Sequence, residues 1–326
     1  MTLARRCFLR LAAGAGALPA VSRLAWAQDV YPSRPIRLVI GFTAGAASDV
    51  IGRLFANGAG PIVGQQIVAE NKPGAGSSIA AQYVAHAAND GYTLFIPALS
   101  TLTNEIIDPA PSLDMSRDFA PIALLASGAF ILVVTPGANV HSVAELIALG
   151  KSKPGELLYG STGVGSLPHL CAELFAQRAG IKLTHVPYPG SPQITNDLIA
   201  GRITLSFTIA SSVIGQIAAG QVLALATAAD QRPSALPDVP TMAEAGMPDF
   251  DTSLWLGLAA PAGTPRAAID KLADAALKAM HTPDAIETLR KQGYRPLDAG
   301  PDQFAAFIRS ETARWSEVAR AAGLKS

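Results

Sequence analysis

The chain has 326 residues, with 25 basic and 25 acidic side chains and two cysteines. Its mature part has no cluster of basic residues, which argues against a nucleic acid partner. After the N-terminal leader, no stretch is apolar for long enough to cross a membrane as a helix, so we expect a soluble mature protein. A chain of this length exceeds the usual single core and predicts two domains.

The first 27 residues differ in composition from the rest. Met1–Ala27 has a basic start, an apolar middle and a small-residue end, which is typical of a cleaved secretory signal. Arg5 and Arg6 resemble the twin-arginine export signature, while an ordinary signal with two chance arginines stays an alternative. Cleavage removes four arginines and Cys7, leaving 21 basic and 25 acidic residues and a net charge of −4. The remaining Cys171 lies in an apolar pattern and is predicted to be buried.

Strand-like and helix-like segments alternate through the first part of the mature chain. The pattern predicts strands at Ile36–Ile40, Ile67–Ala69 and Tyr92–Ile96, with helices at Ser48–Val63 and Ser77–Ala88. Such alternation is typical of an α/β fold with a largely parallel sheet.

A second unit with the same alternation follows a long apolar passage at residues 122–134, which is long enough to cross between domains. Capping-box spacings at Ser142–Glu145 and Thr241–Glu244 indicate helix starts. The predicted strands and helices of this unit are Leu157–Tyr159, a helix ending at Ala179, Leu183–Pro187, Gln193–Ala200, Ile203–Phe207 and Val222–Ala228.

The C-terminal part begins with an apolar strand at Leu254–Ala260. Thr264 and Pro265 are predicted as the N-cap and first residue of a helix, with helices at Arg266–Met280 and Pro301–Ala322. These helices have no predicted strand of their own, so we expect them to pack on the first domain.

The order of these segments predicts a discontinuous first domain. Its parts are residues 28–128 and 252–326, the second domain is residues 129–251, and residues 1–27 are the signal. The chain then crosses between the lobes twice, so we predict two α/β lobes, each a mixed, mostly parallel sheet flanked by helices, with the crossings as a hinge.

Two loops rich in small residues each follow an apolar strand and open a helix. They are Phe42–Asp49 (the first loop) and Gly160–Ser166 (the second loop). At such a turn the first helical N–H groups have no backbone partner, and the helix dipole favours negative charge. Gly45, Gly163 and Gly165 suit these turns because glycine permits positive φ and close approach of a ligand. The loops therefore predict an anion site with one part in each domain.

Catalytic and metal-binding motifs are incomplete. Ser161 lacks the first glycine of the hydrolase nucleophile turn, and no complete dinucleotide or phosphate-loop motif occurs. The five histidines have no metal-ligand spacing, and His169 is predicted to be a helix-surface or capping residue. We expect no catalytic residue, metal or cofactor, while an α/β enzyme using Ser161 and His169 stays an open alternative.

Several ordered motifs extend through the mature chain, namely Tyr31–Ile36, Glu70–Gly76, Asp90–Leu94, Tyr159–Ser166, His185–Tyr188, Leu236–Gly246 and Leu258–Pro265. In these residues the chain resembles the Bug-type solute receptors, the extracytoplasmic binding proteins of tripartite tricarboxylate transporters. The resemblance implies a two-lobed periplasmic binding protein that closes on a small organic carboxylate. It also implies a monomer whose partners are the membrane subunits of such a transporter.

The resemblance further implies that both loops hold a ligand carboxylate through backbone groups, hydroxyls and bridging waters. Asp49 is expected to cap and orient the first loop rather than to touch the ligand. Phe42 either forms a wall of the cleft or packs in the core. The expected ligand-binding residues are Phe42, Thr43, Ala44, Gly45, Ala46, Ser48, Asp49, Ser100, Thr101, Ser161, Thr162, Gly163, Val164, Gly165, Ser166, Tyr188 and Thr208.

Some positions depart from the family pattern and bear on the ligand. Thr43 and Ala46 stand where the first loop is more often proline and glycine, and Pro189 stands where lysine is frequent. Thr204 and Thr208 replace common acidic or amide residues. Because these changes remove charged and polar groups, we expect a less polar mono- or dicarboxylate, aromatic acids included, rather than an amino acid.

A different partner stays open. Receptors of this family are also encoded apart from a transporter and contact sensor domains, so a ligand-sensing or scaffold role beside a sensor kinase is the alternative to uptake. Neighbouring genes would discriminate between the two roles.

Overall fold

Eleven strands in the described part of the chain form two β-sheets. The computed structural model describes residues 31–107, 113–248, 250, 252–291 and 293–324, and the predicted signal lies outside the described residues. The strands are β1 (Ile36–Ile40), β2 (Ile67–Asn71), β3 (Thr93–Ile96), β4 (Phe119–Gly128), β5 (Phe130–Val134), β6 (Leu157–Ser161), β7 (Leu183–Pro187), β8 (Leu205–Ile209), β9 (Leu223–Thr227), β10 (Leu254–Pro261) and β11 (Tyr294–Ala299).

Helices flank these sheets. They are α1 (Ala47–Val63), α2 (Ser78–Ala85), α3 (Leu99–Ile107), α4 (Val143–Ser152), α5 (Leu167–Ala179), α6 (Ser191–Ile199), α7 (Ile214–Ala218), α8 (Arg266–Met280), α9 (Pro283–Lys291) and α10 (Pro301–Ala321). Among the described residues, no helix combines the length and the apolar composition that a membrane span requires.

Each sheet contains a parallel group of three strands extended by antiparallel ones. The first sheet has the order β11-β4-β10-β3-β1-β2, with β1 parallel to β2 and β3. The second has the order β7-β6-β8-β5-β9, with β6 parallel to β7 and β8. The predicted α/β fold with two mixed sheets flanked by helices is thus confirmed, and β10, β4, β11, β5 and β9 complete the sheets through antiparallel pairs. The expectation that the sheets are mostly parallel is wrong, because antiparallel pairs outnumber parallel ones among the described strands.

The chain passes from one sheet to the other twice. The first passage is at Ala129, between β4 and β5, inside the apolar stretch that suggested a crossing. The second runs from β9 to β10. The predicted domain boundaries stay predictions, because residues 34–326 pack as one compact unit.

The C-terminal part contains a strand that the sequence analysis missed. The expectation that the last helices have no strand of their own is wrong, because α9 and β11 lie between α8 and α10, and β11 pairs with β4. The strand has the sequence Tyr-Arg-Pro-Leu-Asp-Ala and forms the edge of its sheet. Proline and charged residues are tolerated at an edge but weaken the strand pattern in the sequence.

Two predicted helix starts also differ in detail. Pro265 takes the N-cap position of α8, and the Thr264 hydroxyl donates to the carbonyl of Pro261 at 2.7 Å instead of capping. The capping box of Thr241 and Glu244 forms both of its hydrogen bonds, at 2.7 and 3.1 Å, but a turn rather than an α-helix follows. The capping pattern is a local signal and does not set the length of the helix that follows.

Helix α10 fastens the end of the chain to the first sheet. It packs on β4, and its buried Glu311 accepts hydrogen bonds from the indole N–H groups of Trp255 and Trp315, at 3.2 and 3.1 Å. Both indoles are fully buried. The predicted packing of the last helix on the first part of the chain is confirmed, and so is the predicted burial of Cys171.

We predict that Gly257→Ala destabilises this contact. A Cβ on Gly257, in β10, would lie 2.3 Å from Cζ of Phe304, whose ring is buried on α10 against Trp255. Overpacking of this kind lowers the free energy of unfolding by about 1–3 kcal/mol, measured by urea denaturation. Gly215→Ala, in α7, is the control because no atom lies within 4 Å of its Cβ. Equal stability of the two variants would contradict the packing.

Candidate functional site

The first loop lies at the carboxyl end of β1 and leads into α1. Thr43, Ala44 and Gly45 are exposed, while Phe42 and Ala46 are half-buried. Gly45 has a φ of +83°, which L side chains rarely adopt. The predicted glycine turn therefore presents its backbone to solvent at the start of a helix of 17 residues.

The side chain of Asp49 forms hydrogen bonds that hold the first loop in its conformation. Its carboxylate is buried and accepts hydrogen bonds from the N–H of Gly45, Nε of Arg53 and Nδ2 of Asn71, each at 2.9 Å. The same Asn71 amide donates to the carbonyl of Phe42 at 2.9 Å. Asp49 is therefore engaged with the protein on both oxygens and orients the loop.

Burial of Asp49 acts to raise the pKa of its carboxyl, but the hydrogen bonds from Gly45 and Asn71 and the charge of Arg53 outweigh burial and lower the pKa. The group is therefore ionised in the folded protein at neutral pH. Arg53 supplies the opposite charge, and the neutral donors of Gly45 and Asn71 stabilise the carboxylate by hydrogen bonds.

The second loop follows β6 and leads into α5. Gly163 and Gly165 have φ values of +116° and +78°. A Cβ on Gly163 would meet no atom within 4 Å, so this backbone faces open space. The Ser166 hydroxyl donates to the carbonyl of Gly163 at 2.7 Å, and Thr162 and Val164 are exposed. The loop approaches α3 at Gly165, where a Cβ would lie 3.1 Å from Cδ1 of Ile107.

Two histidines support the second loop from inside. Nε2 of His185, on β7, lies 2.6 Å from the hydroxyl of Ser161, which in turn accepts the N–H of Gly163 at 3.2 Å. Nδ1 of His169, on α5, accepts the N–H of Gly165 at 3.0 Å. The two imidazoles are stacked with their centroids 4.2 Å apart.

Of the two roles predicted for His169, the helix-surface position is wrong, because the residue is 6% exposed, whereas the bond that it accepts from the N–H of Gly165 at the start of α5 agrees with the capping role. The absence of metal-ligand spacing among the histidines gave no indication that His169 and His185 stack. One local signal connects His169 to the loop, since it lies four residues after Gly165, whereas the pairing of His185 with Tyr159 on β6 is a tertiary contact. Parallel pairing places Tyr159 and His185 on the same face, where their rings stack.

Burial, and for His169 also the neighbouring His185, lowers the pKa of both imidazoles. Both rings are therefore neutral at neutral pH. The negative charge of Glu173 acts to raise the pKa of each imidazole, but burial outweighs this effect. Within the described residues, no group of three His, Cys, Asp or Glu side chains is arranged to hold a metal ion.

The predicted side-chain contacts after β3 have partners in the protein. The Thr101 hydroxyl accepts the N–H of Ala98 at 3.2 Å and caps α3, and its side chain is buried. Ser100 is half-buried in the same first turn. Thr101 thus has a structural contact, and Ser100 is the more accessible of the two.

Tyr188 and Thr208 also have protein partners. The Tyr188 hydroxyl donates to Oδ2 of Asp197 at 2.7 Å, and burial together with this hydrogen bond raises the pKa of Tyr188 to about 12. The Thr208 hydroxyl lies 3.0 Å from that of Ser212 and is buried. A ligand would meet the Tyr188 ring more readily than its hydroxyl.

A third loop was not predicted as part of the site. Residues 74–77, before α2, all have positive φ, including the non-glycine Ala75 and Ser77. Ser77, predicted as the first helical residue, precedes the helix instead, and its hydroxyl is buried beside Gly41 at the end of β1. Among the described residues, the hydroxyls of Ser48 and Ser77 have no hydrogen-bond partner. The signal in the sequence was the pair of glycines at 74 and 76.

A separate cavity lies where the chain crosses between the sheets. It has a volume of about 190 Å³ and is lined by Arg232, Tyr294 and Arg295 among others, but by no residue of either loop. Arg232 is paired with Glu244, and Arg295 with Asp230. An anion there would compete with these carboxylates, so the loops are the better candidate site.

Comparison with known proteins points to solute receptors. A family model described as the tripartite tricarboxylate transporter family receptor matches residues 51–324. BugT of Bordetella pertussis is 34% identical over 299 residues, which are 91% of this chain and 92% of that protein.

Solved structures agree with this similarity. Rpa4515 of R. palustris, determined with adipate, is 34% identical with a TM-score of 0.75 and covers 90% of this chain and 98% of its own. MatC from Rhodopseudomonas palustris, with bound malate, is 30% identical with a TM-score of 0.72. The match covers 88% of this chain and 99% of MatC. The two-sheet fold is thus that of two-lobed periplasmic binding proteins.

We predict that Asp49→Asn lowers the free energy of unfolding at pH 7 and reduces the amount by which this free energy falls between pH 7 and pH 3. The folded carboxyl has a pKa below the value of 3.8 expected when unfolded, so its stabilisation is present above that pH and is lost as pH falls through the folded pKa. Losing hydrogen bonds to a charged acceptor costs about 1.5–3 kcal/mol. Urea denaturation at pH 7 and pH 3 measures both effects. Asp302→Asn, whose carboxylate is 82% exposed, is the control and should change little. An unchanged acid response in Asp49→Asn would contradict the account.

Proposed function

Because the chain belongs to the tripartite tricarboxylate transporter receptor family, whose members are solute-binding receptors and not enzymes, we propose that it captures a small organic carboxylate between its two sheets. The carboxylate is held by the first and second loops. The observation that carries this proposal is that both loops lie at the carboxyl ends of parallel strands and each begins a helix of more than ten residues. Ligands of open α/β sheets bind at this edge.

The helix starts supply the attraction for an anion. Their first N–H groups lack helical partners, and each hydrogen bond to a charged acceptor contributes about 1.5–3 kcal/mol. A few such bonds from each loop give useful affinity without an arginine. The hydroxyls of Ser48 and Ser77 are buried at the same edge and have no hydrogen-bond partner in the described part of the chain, so we propose them as further donors.

The chemistry of the loops favours an acid without an ammonium group. Asp49 is the single carboxylate of the two described loops, and its oxygens already accept from Gly45, Arg53 and Asn71. A ligand ammonium would find no free anionic partner there. Adipate and malate, bound by similar proteins, are aliphatic dicarboxylates, and we propose a mono- or dicarboxylate of this kind, aromatic acids included.

Export and delivery complete the proposal. The leader at residues 1–27 directs the chain to the periplasm and is cleaved. The parts 28–128 with 252–326 and 129–251 act as two lobes that close on the ligand, and the closed monomer delivers it to the membrane subunits of a tripartite tricarboxylate-type transporter. The passages at Ala129 and between β9 and β10 are the hinge.

A thermal-shift screen of residues 28–326 tests the ligand class. The panel contains adipate, malate, benzoate and aspartate, with adipamide as the uncharged control. A bound acid at one hundred times its Kd stabilises the folded protein by about 2.7 kcal/mol and raises Tm. We expect a shift with one or more of the non-amino acids and none with adipamide. A shift with aspartate alone would contradict the ligand class, and a shift with adipamide would contradict recognition of the carboxylate.

We predict that Gly163→Val abolishes acid binding while the protein stays folded. The side chain would project into the open space where the ligand is proposed to meet the backbone. Gly155→Val is the matched control, because Gly155 also has positive φ and no atom within 4 Å of its Cβ. Both variants carry backbone strain of about 1–3 kcal/mol. Calorimetry should show at least about a hundredfold weaker binding, about 2.7 kcal/mol, in Gly163→Val alone. Equal affinity in the two variants would remove the second loop from the site.

A further inference from the structure

The stacked histidine pair holds both glycines of the second loop. His185 reaches Gly163 through the hydroxyl of Ser161, and His169 accepts directly from the N–H of Gly165. These contacts lie behind the backbone that is proposed to face the ligand. The histidines therefore act on the site through the loop and do not need to touch the ligand.

The two contacts respond differently to a proton. If His185 takes up a proton on Nε2, it can donate to the Ser161 hydroxyl, which can turn its own proton to the carbonyl of Gly163 at 3.0 Å. The N–H of Gly165 has no such freedom, because a backbone N–H can only donate. A proton on Nδ1 of His169 would place two donors 3.0 Å apart.

We propose that His169 is a positioning residue that fixes the second loop in its binding conformation only while its ring is neutral, so that acidification weakens ligand capture. This inference rests on the proposed function, because the loop matters for capture only if it holds the carboxylate. The ring is the Nε2–H tautomer in the binding conformation, since Nδ1 is the acceptor.

The surroundings of the pair oppose its protonation. The rings lie face to face at 4.2 Å, so two positive charges would repel each other. Glu173, on the same helix as His169, is the anionic group near the pair, with Oε1 at 3.9 Å from Nε2 of His169, and it also accepts the hydroxyl of Tyr159 at 2.6 Å. Helix α3 approaches Gly165 with apolar Ile107, and its titratable Glu105 accepts the N–H of Met115 at 2.9 Å. Helix α10 places Val318 beside Glu173, where Lys182 also lies. Burial raises the pKa of Glu105 to about 7, and because every variant below keeps Glu105, its titration is common to all of them. Burial lowers the pKa of both histidines in agreement with this geometry.

Two substitutions at one position separate the roles of His169. His169→Asn keeps an acceptor near the position of Nδ1 and does not titrate, whereas His169→Phe keeps a flat ring and removes the acceptor. His141→Asn is the matched control, because His141 is an exposed histidine that lies just before α4. Circular dichroism at each pH verifies that each variant is folded.

Affinity for adipate, measured by calorimetry between pH 7.5 and pH 5.5, is the readout. Because adipate itself takes up protons in this range, the comparison is between variants at each pH. We expect wild type and His141→Asn to lose more affinity on acidification than His169→Asn, by a factor that approaches about tenfold for each unit by which binding lowers the pKa of His169 and that grows as pH falls toward the pKa of this group in the free protein. We expect His169→Phe to bind weakly at every pH. Parallel profiles for wild type and His169→Asn, or tighter binding by wild type at pH 5.5, would overturn the proposal.

A measurement without ligand separates this proposal from the proposed function. Nitrogen-15 NMR of the free protein should show the Nε2–H tautomer of His169 at pH 7.5 and a Gly165 amide signal that shifts as His169 titrates below pH 6.5. A proton on Nδ1 at pH 7.5, or a Gly165 signal that ignores the titration, would overturn the role of His169. If the NMR result is as expected but no acid in the panel binds at any pH, the proposed function is wrong and the contact to the loop stands.

Discussion

The arrangement of the candidate site depends on unpaired backbone N–H groups at the starts of α1 and α5. Each helix begins where a parallel strand ends, and in each loop one glycine N–H is bonded to the side chain four residues later. Gly45 donates to Asp49 in the first loop, and Gly165 donates to His169 in the second. These bonds fix the curvature of the loops, so the remaining N–H groups are held in place before any ligand arrives.

The two loops use acceptors of different chemistry. Asp49 is ionised at neutral pH, where Arg53 supplies the opposite charge and Asn71 a neutral hydrogen bond, so the first loop has these contacts at neutral pH. His169 is a neutral acceptor, and burial lowers the pKa of its imidazole. On the proposal above, the form of the second loop depends on the proton of His169, whereas the first loop relies on a carboxylate that stays ionised at neutral pH.

Packing elsewhere in the fold holds the strands and helices that carry these loops in position. The first sheet is completed by the end of the chain, where β11 pairs with β4 and α10 packs across β4 with Glu311 between two buried indoles. Helix α10 also packs on α5, whose start forms the end of the second loop. The two sheets are therefore connected both by the two chain crossings and by the packing of α10 on α5.

Much of the fold could be predicted from the sequence, because most elements are apolar and periodic. The strands and helices whose ends were predicted match those of the structure to within three residues, while the helix start indicated at Thr241 leads into a turn. The missed strand β11 is short, polar and at an edge, and pairs with a strand more than 150 residues earlier, which no local pattern reveals. Both loops could be predicted from their glycines, since a turn that needs positive φ favours glycine at that position.

The supports of the loops were harder to predict. His185 reaches Ser161 because β6 and β7 are parallel neighbours, and this register appears only when the sheet is assembled. Ser77 was predicted as helical because the positive φ values of residues 74–77 are set by contacts such as that of Asn104 with the carbonyls of Ala75 and Gly76, at 3.3 and 3.0 Å. Contacts of this kind depend on tertiary structure and have no periodic signature.

The most direct test of the account is a crystal structure of residues 28–326 grown with adipate. The account predicts a carboxylate of the acid within about 2.7–3.2 Å of backbone N–H groups of both the first and the second loop. An acid bound instead between Arg232 and Arg295, in the cavity at the crossings, would contradict it.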